Sequence, residues 1–267
     1  MGIDCPFCPR PSSGKGKWRL GIEIGTGRTN CWSCGSHRLY ETLALASNTS
    51  VPQIAVLFQG IRFKKLETPV ANRGDLKLPT SIGEMKQVHL DYLSSRGFDP
   101  EGLSLLWKVR GISISSRGLS WRLFIPIYLD RELVSWTTRS LVDKEGVQRY
   151  ISAPTTDESL PIKHTLYGLD LARSTVIVCE GPIDCWRIGP GAVATFGTAY
   201  TREQVGLIAR FPKRVICFDN ESRAQTQAWK LASELSALPG ETLHVCLDAK
   251  DPGDASDEEI MELREML

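Results

Sequence analysis

Four short apolar runs, Thr175–Cys179 and residues 192–196, 214–218 and 243–247, alternate with segments of helical pattern over the last 95 residues of the chain. Strand and helix in strict alternation predict parallel strands joined by crossover helices, here over 182–188, 201–210 and 222–238, with a closing helix over 256–267. Acidic residues stand where these strands end: Glu180 after the first, Asp219 and Glu221 after the third, Asp251 and Asp254 beyond the fourth. In an open α/β sheet that edge is where ligands bind. Glu180 opens the sequence E-G-P-I-D, in which Gly181 permits a tight turn and Asp184 falls on the first turn of the next helix.

Carboxylates gathered in one crevice repel one another, and a fold tolerates this where divalent cations neutralise them. Magnesium, or manganese in its place, is the expected occupant. Such ions bridge phosphate oxygens and stabilise the charge that develops in phosphoryl transfer.

The front of the chain carries a second metal signature. Of eight cysteines, Cys5, Cys8, Cys31 and Cys34 form two C-x2-C pairs separated by 22 residues. Two such turns offer zinc a tetrahedron of thiolates, and the spacing predicts a ribbon whose β-hairpin spans the gap. Trp18, Leu20, Ile22 and Ile24 alternate across that gap with strand periodicity. His37, three residues past Cys34, is expected to be an exposed side chain. The zinc is structural: so small a module buries too little apolar surface to fold without it. Trp18, Arg19, Arg28, Trp32 and Arg38 make it basic and aromatic, a combination suited to stacking bases and neutralising phosphates. Cys179, Cys185, Cys217 and Cys246 lie in apolar or strand-like surroundings and are expected to fill the core.

Between these ends the pattern predicts a helix over 39–46, a second helix starting from a Ser50/Gln53 capping box, and a linker over 62–83 that contains Pro69, Asn72, Gly74 and Pro79. A helix is expected from Gly83 to about Arg96, and Asp99 with Pro100 caps another. Residues 119–128 and 133–139 are rich in aromatic and β-branched types and are joined by a charged turn, which predicts antiparallel pairing. Charge is unevenly shared: residues 1–175 hold 23 Lys and Arg against 16 Asp and Glu, and residues 176–267 hold 9 against 15. A basic front binds polyanions, and an acidic rear would repel them without bound cations.

The order of E-G-x-x-D, D-x-E and K-D-P-G-D from Thr175 onward resembles the TOPRIM domain, a family that includes primases, topoisomerases, and some nucleases and recombination proteins. Upstream, Y-L-S-S-R-G-F at 92–98, R-L-F-I-P-I at 122–127, R-Y-I-S-A-P at 149–154 and L-Y-G-L-D at 166–170 resemble, in order, the basic subdomain of DnaG-type bacterial and phage primases. With C-P-F-C and C-W-S-C-G at the front and A-T-F-G-T-A-Y-T at 194–201, the resemblance covers nearly the whole chain except the linker.

It implies an α/β chain in four parts: a zinc ribbon (1–48), a helix and linker (49–84), an α+β basic subdomain (85–172) and a Rossmann-like parallel-sheet TOPRIM domain (173–267). It also implies a nucleotidyltransferase that makes RNA primers on single-stranded DNA from ribonucleoside triphosphates. Glu180, Asp219, Glu221 and Asp251 would hold the divalent ions, supported by Asp184 and Asp254. Arg96, Arg122, Arg139, Arg149 and Lys163 would face template, primer or nucleotide.

Three departures from the pattern stand out. Glu221 replaces the usual second Asp of D-x-D, Gly253 stands where many primases carry an acid, and Lys163 is offset by one residue. A metal-dependent nuclease and a non-catalytic binding module of the RecR type are the competing readings. The chain has no Walker-type G-K-[ST] loop, so a replicative helicase is expected on another polypeptide. No run reaches the roughly 20 apolar residues of a membrane span and no secretory signal is evident, so the expected compartment is the cytoplasm, or the host cytoplasm if the protein is phage-encoded.

Overall fold

A computed structural model describes residues 2–8, 20–23, 27–31, 34–58 and 75–267. Trp18, Ile24, Trp32 and most of the expected linker lie outside these residues.

The front module is an antiparallel sheet of β1 (Gly2–Ile3), β2 (Leu20–Glu23), β3 (Arg28–Cys31) and β4 (Gly35–His37), in sequence order. Two helices follow, α1 (Leu39–Ala46) and α2 (Val51–Leu57). The α2 start is the expected one: the Gln53 side chain accepts from the Ser50 backbone N–H at 3.0 Å.

The second module is a five-stranded antiparallel sheet of β5 (Ile82–Gly83), β6 (Arg110–Ile112), β7 (Arg122–Leu129), β8 (Glu132–Ser140) and β9 (Tyr150–Ser152). Its helices are α3 (Gln87–Ser95) and α4 (Pro100–Leu106). Helix α3 starts four residues later than its pattern suggested. Ile82 and Gly83 instead pair with Ile112 and Gly111, and the buried His89 ring accepts from the Lys86 backbone N–H at 3.0 Å, fixing the helix start there. At the other helix the Asp99 carboxylate accepts from the backbone N–H groups of Glu101 and Gly102, as the cap predicted. The β7–β8 hairpin turns at Asp130 and Arg131, both at positive φ, and the Asp170 carboxylate accepts from both of their N–H groups at 3.0 and 2.7 Å.

The third module holds β10 (Thr175–Cys179), α5 (Pro182–Ile188), β11 (Ala192–Ala194), α6 (Arg202–Ile208), β12 (Lys213–Ile216), α7 (Ser222–Ser236), β13 (Glu241–His244) and α8 (Asp257–Glu265). Its strands are all parallel in the order β11-β10-β12-β13. Alternate residues of β10 face opposite ways: Val176 and Val178 pack with α6 and α7, whereas Ile177 and Cys179 pack with Ile183, Trp186 and Ile260. The latter cluster continues without a break into Leu123, Ile125 and Val134 of the antiparallel sheet. The two sheets therefore share one core, which fixes the crevice between them.

The sequence L-Y-G-L-D seals this junction. Tyr167 bridges to Ala194, stacks on Trp107 at 5.2 Å, and its hydroxyl accepts from the Trp186 indole at 2.7 Å. Gly168 has φ +76, and a Cβ there would stand 2.7 Å from the Ala192 carbonyl oxygen, so a side chain is excluded both by conformation and by space. The ribbon docks on the far end of α7. Asn30 donates to the Ser236 carbonyl at 3.3 Å, and Gly21 lies so close to the Ala237 backbone that a Cβ would approach it to 3.0 Å. Among the described residues, no helix is long and apolar enough to cross a membrane.

Candidate active site

Acidic loops follow β10, β12 and β13. Where β10 ends, the Glu180 carboxylate accepts from the Asp219 backbone N–H at 3.2 Å, tying the first acidic loop to the third. Asp184 turns back from the first turn of α5 and accepts from the Gly181 N–H at 2.8 Å. Asp219 is held by its own backbone: its carbonyl and that of Phe218 accept from the Gln225 amide of α7. Asp251 caps a 3-10 turn, accepting from the Asp254 N–H at 3.0 Å.

Glu180, Asp184, Asp219, Asp251 and Asp254 line one crevice of about 420 Å³, and its opposite wall is the antiparallel module, with Arg96 at the end of α3, Arg139 on β8, and Arg149 and Tyr150 at the start of β9. Glu221 is the N-cap of α7, mostly exposed and 3.9 Å from the Lys250 ammonium, so it stands outside the lining of the crevice.

Burial and mutual repulsion dominate the electrostatics of these acids. Burial, reinforced by the neighbouring Asp219 charge, pushes Glu180 up to about 7 and Asp184 up to about 8. Asp219 is pushed up to about 6 by burial and then by Asp251 and Glu221. One Asp219 carboxylate oxygen is buried with no hydrogen-bond partner. An orphaned buried oxygen among mutually repelling acids fits hard divalent cations with oxygen ligands, and these residues would hold them. The acids surround a space and do not close on a single point. Among the described residues, the only set of three or more ligand atoms lying within 4.8 Å of one another is that of the four cysteines.

At that second site the sulfurs of Cys5, Cys8, Cys31 and Cys34 lie within 4.8 Å of each other, with three pairs at 3.3–3.5 Å. Thiolates about 2.3 Å from a tetrahedral zinc are about 3.8 Å apart, so the set fits zinc with small adjustment. The His37 ring lies 3.0 Å from the Cys34 sulfur and stacks on Phe7 at 3.8 Å, a closer relation to the site than an exposed side chain implies.

The expected basic residues divide by geometry. Arg139 is 4% exposed as a residue and is aimed by Tyr92, whose hydroxyl accepts at 3.1 Å, and by the Tyr150 ring, 5.0 Å beneath its guanidinium. Arg96 pairs with Asp254 at 3.8 Å across the crevice. Arg122 and Lys163 face inward and do not line the crevice. Arg122 is buried and donates to the Thr138 hydroxyl and to the carbonyls of Gln148 and Arg149, so it anchors the strand that presents Tyr150. Lys163 donates to the carbonyls of Thr195, Phe196 and Ala199 at 2.7–2.9 Å. It thereby holds a loop in which Phe196 has φ +61 and the Gly197 N–H donates to the Glu180 carbonyl.

Sequence reasoning missed Tyr92, Tyr150, Asp143 and Lys250. Tyr92 and Tyr150 lie inside motifs singled out for their order along the chain, and the roles of these aromatic residues were not read from them.

Comparison with known proteins gives the same outline. Residues 177–256 match the family model described as Toprim-like. The DNA primase of Campylobacter jejuni is 29% identical over 130 residues, which is 43% of this chain and 21% of that protein, so the match spans about a fifth of the relative. The fold of the Aquifex aeolicus primase zinc-binding and RNA polymerase domains covers 99% of this chain and 77% of that one, at a TM-score of 0.57 and 20% identity. The RNA polymerase domain of Mycobacterium tuberculosis DnaG and the Escherichia coli primase catalytic core each cover 67% of this chain, at a TM-score of 0.54. Residues 177–256 thus match a Toprim-like domain, and the chain around them has a fold similar to that of the zinc-binding and RNA polymerase domains of DnaG-type primases.

Proposed function

We propose that this chain is a DNA primase, a DNA-directed RNA polymerase that joins ribonucleoside triphosphates into short primers on single-stranded DNA. The observation that carries this reading is the facing of two walls: oriented arginines on the antiparallel sheet oppose carboxylates at the ends of the parallel strands across one crevice. Such a crevice suits a nucleoside triphosphate bound with its charge shared between guanidinium groups and metal ions.

Glu180, Asp219 and Asp251 are the residues that would hold magnesium or manganese, with Asp184 backing them and Glu221 and Asp254 at the rim. The ions would stabilise charge on the transferring phosphoryl group and on the departing pyrophosphate. Arg139, Arg149 and Arg96 orient the nucleotide, and Tyr92 and Tyr150 keep Arg139 in place. Lys163 and Arg122 act one step removed, holding the loops that carry Glu180 and Tyr150. Zinc in the ribbon completes a small fold that presents basic residues to template, with Trp32 a further stacking candidate. The protein would act in the cytoplasm beside a helicase encoded separately.

The test is synthesis from labelled ribonucleotides on single-stranded DNA with magnesium. Wild type should yield short labelled RNA, and Glu180→Gln and Asp219→Asn should each reduce the yield by at least about 100-fold, as expected when a charge-stabilising group is lost. Shortening of the DNA in the absence of nucleotides would point to a nuclease. Unchanged DNA binding with no synthesis by any form would point to a binding module.

A further inference from the structure

Asp143 sits in the crevice on the side of the arginines, away from the acids of the parallel sheet. One of its oxygens accepts from Arg139 at 3.3 Å and the other from Arg149 at 3.1 Å. Its contacts are single hydrogen bonds, not a bidentate fork, so each guanidinium keeps further N–H groups for another anion. The two arginines differ in freedom: the Arg139 side chain is 5% exposed and fixed by two tyrosines, whereas Arg149 and Asp143 are 61% and 51% exposed. Asp143 also belongs to the exposed connection between β8 and β9, which turns through Gly146 at φ +81. The geometry is that of a movable carboxylate placed between two cationic groups that need an anion.

We propose that Asp143 is an internal stand-in for substrate phosphate: it holds Arg139 and Arg149 together in the empty crevice and is displaced when a polyphosphate binds. The inference rests on the reading of this crevice as a nucleotide site. Two unpaired guanidinium groups side by side would repel, and Asp143 removes that repulsion. Asp143 is half exposed and its pair with Arg149 is screened by solvent, so its hold is weak and exchange for a multiply charged phosphate is downhill.

This role differs in sign from that of a supporting residue. If Asp143 merely propped up Arg139, its loss would weaken anion binding. If it competes with phosphate, its loss strengthens binding. The experiment is calorimetric titration of the full chain with inorganic tripolyphosphate and with orthophosphate, at fixed ionic strength with magnesium, for wild type, Asp143→Asn and Arg139→Ala. Asp143→Asn should bind tripolyphosphate about two- to fivefold more tightly, the range expected for releasing a solvent-screened carboxylate. Orthophosphate, with less charge, should gain less than tripolyphosphate in the same variant, and Arg139→Ala should lose affinity for tripolyphosphate.

Weaker or unchanged binding by Asp143→Asn, with Arg139→Ala still impaired, overturns the stand-in role and leaves the nucleotide site intact. Equal binding by wild type and Arg139→Ala, or no binding by either, overturns both. Because the readout is binding and not synthesis, and circular dichroism of each variant reports its folding, a catalytic or folding defect cannot imitate any of these results.

Discussion

At the scale of single residues, the acids of the crevice carry opposing consequences for stability and for function. Asp184 has its carboxyl raised to about 8 by burial first and by Asp219 second, against an ordinary value of 3.8. The folded protein therefore binds this proton more tightly than the unfolded chain, and the metal-free fold loses stability as pH rises from about 4 through about 8. Asp184→Asn keeps an acceptor for the Gly181 N–H and removes the ionisation. It should flatten that decline and raise metal-free stability at pH 8 by on the order of 2 kcal/mol, measured by denaturant titration at several pH values. Magnesium should have the reverse slope, stabilising wild type more at pH 8 than at pH 6, because protons compete with it for the same oxygens.

Lys163 makes a second prediction of this kind. Lys163→Met leaves the carbonyls of Thr195, Phe196 and Ala199 without their donor. The expected loss of stability is about 2–3 kcal/mol by denaturant melts, with synthesis reduced through slower turnover and not through nucleotide affinity. The acids were legible in the sequence because strand ends in a parallel sheet are topologically defined. The inward roles of Lys163 and Arg122 were not, since a basic residue looks the same in sequence whether it meets a phosphate or a carbonyl.

At the scale of elements, the zinc ribbon and α7 set where the front of the molecule lies. Ser236, where the ribbon docks, is separated from Glu221 by nearly the whole of α7, about 20 Å along the axis. The ribbon in this arrangement is therefore a neighbour of the parallel-sheet module and not a cover for its crevice. Gly21→Val should collide with the Ala237 backbone and release the ribbon without unfolding the parallel sheet. Hydrogen exchange would show faster exchange in β2 and β3 of the variant and unchanged exchange in β10 and β12. Chelation of zinc should go further and unfold the ribbon itself while the core of the parallel sheet keeps its protection. Existence and type of most elements were readable from periodicity and caps. The start of α3 was not, because pairing of Gly83 with β6 overrode a helical pattern that extended to it.

At the scale of the whole molecule, one apolar core runs from the antiparallel sheet into the parallel one, and this continuity makes the crevice a fixed space between two charged walls. Ile177 lies within that core, fully buried. Ile177→Ala should cost about 2–5 kcal/mol and impair nucleotide binding together with stability, since both walls rest on it. The charge asymmetry along the sequence foreshadowed the two walls, but their facing depends on the Tyr167 bridge to Ala194 and the Trp107 stack, contacts between segments far apart in the chain. The central claim is that the acids of the parallel sheet hold divalent cations against phosphates bound by the arginines opposite. Its most direct test is a crystal of the protein grown with manganese and a nucleoside triphosphate, read by anomalous scattering. The account predicts manganese peaks bordered by Glu180, Asp219 and Asp251, with the triphosphate reaching Arg139; manganese bound elsewhere, or a triphosphate outside the crevice, would contradict it.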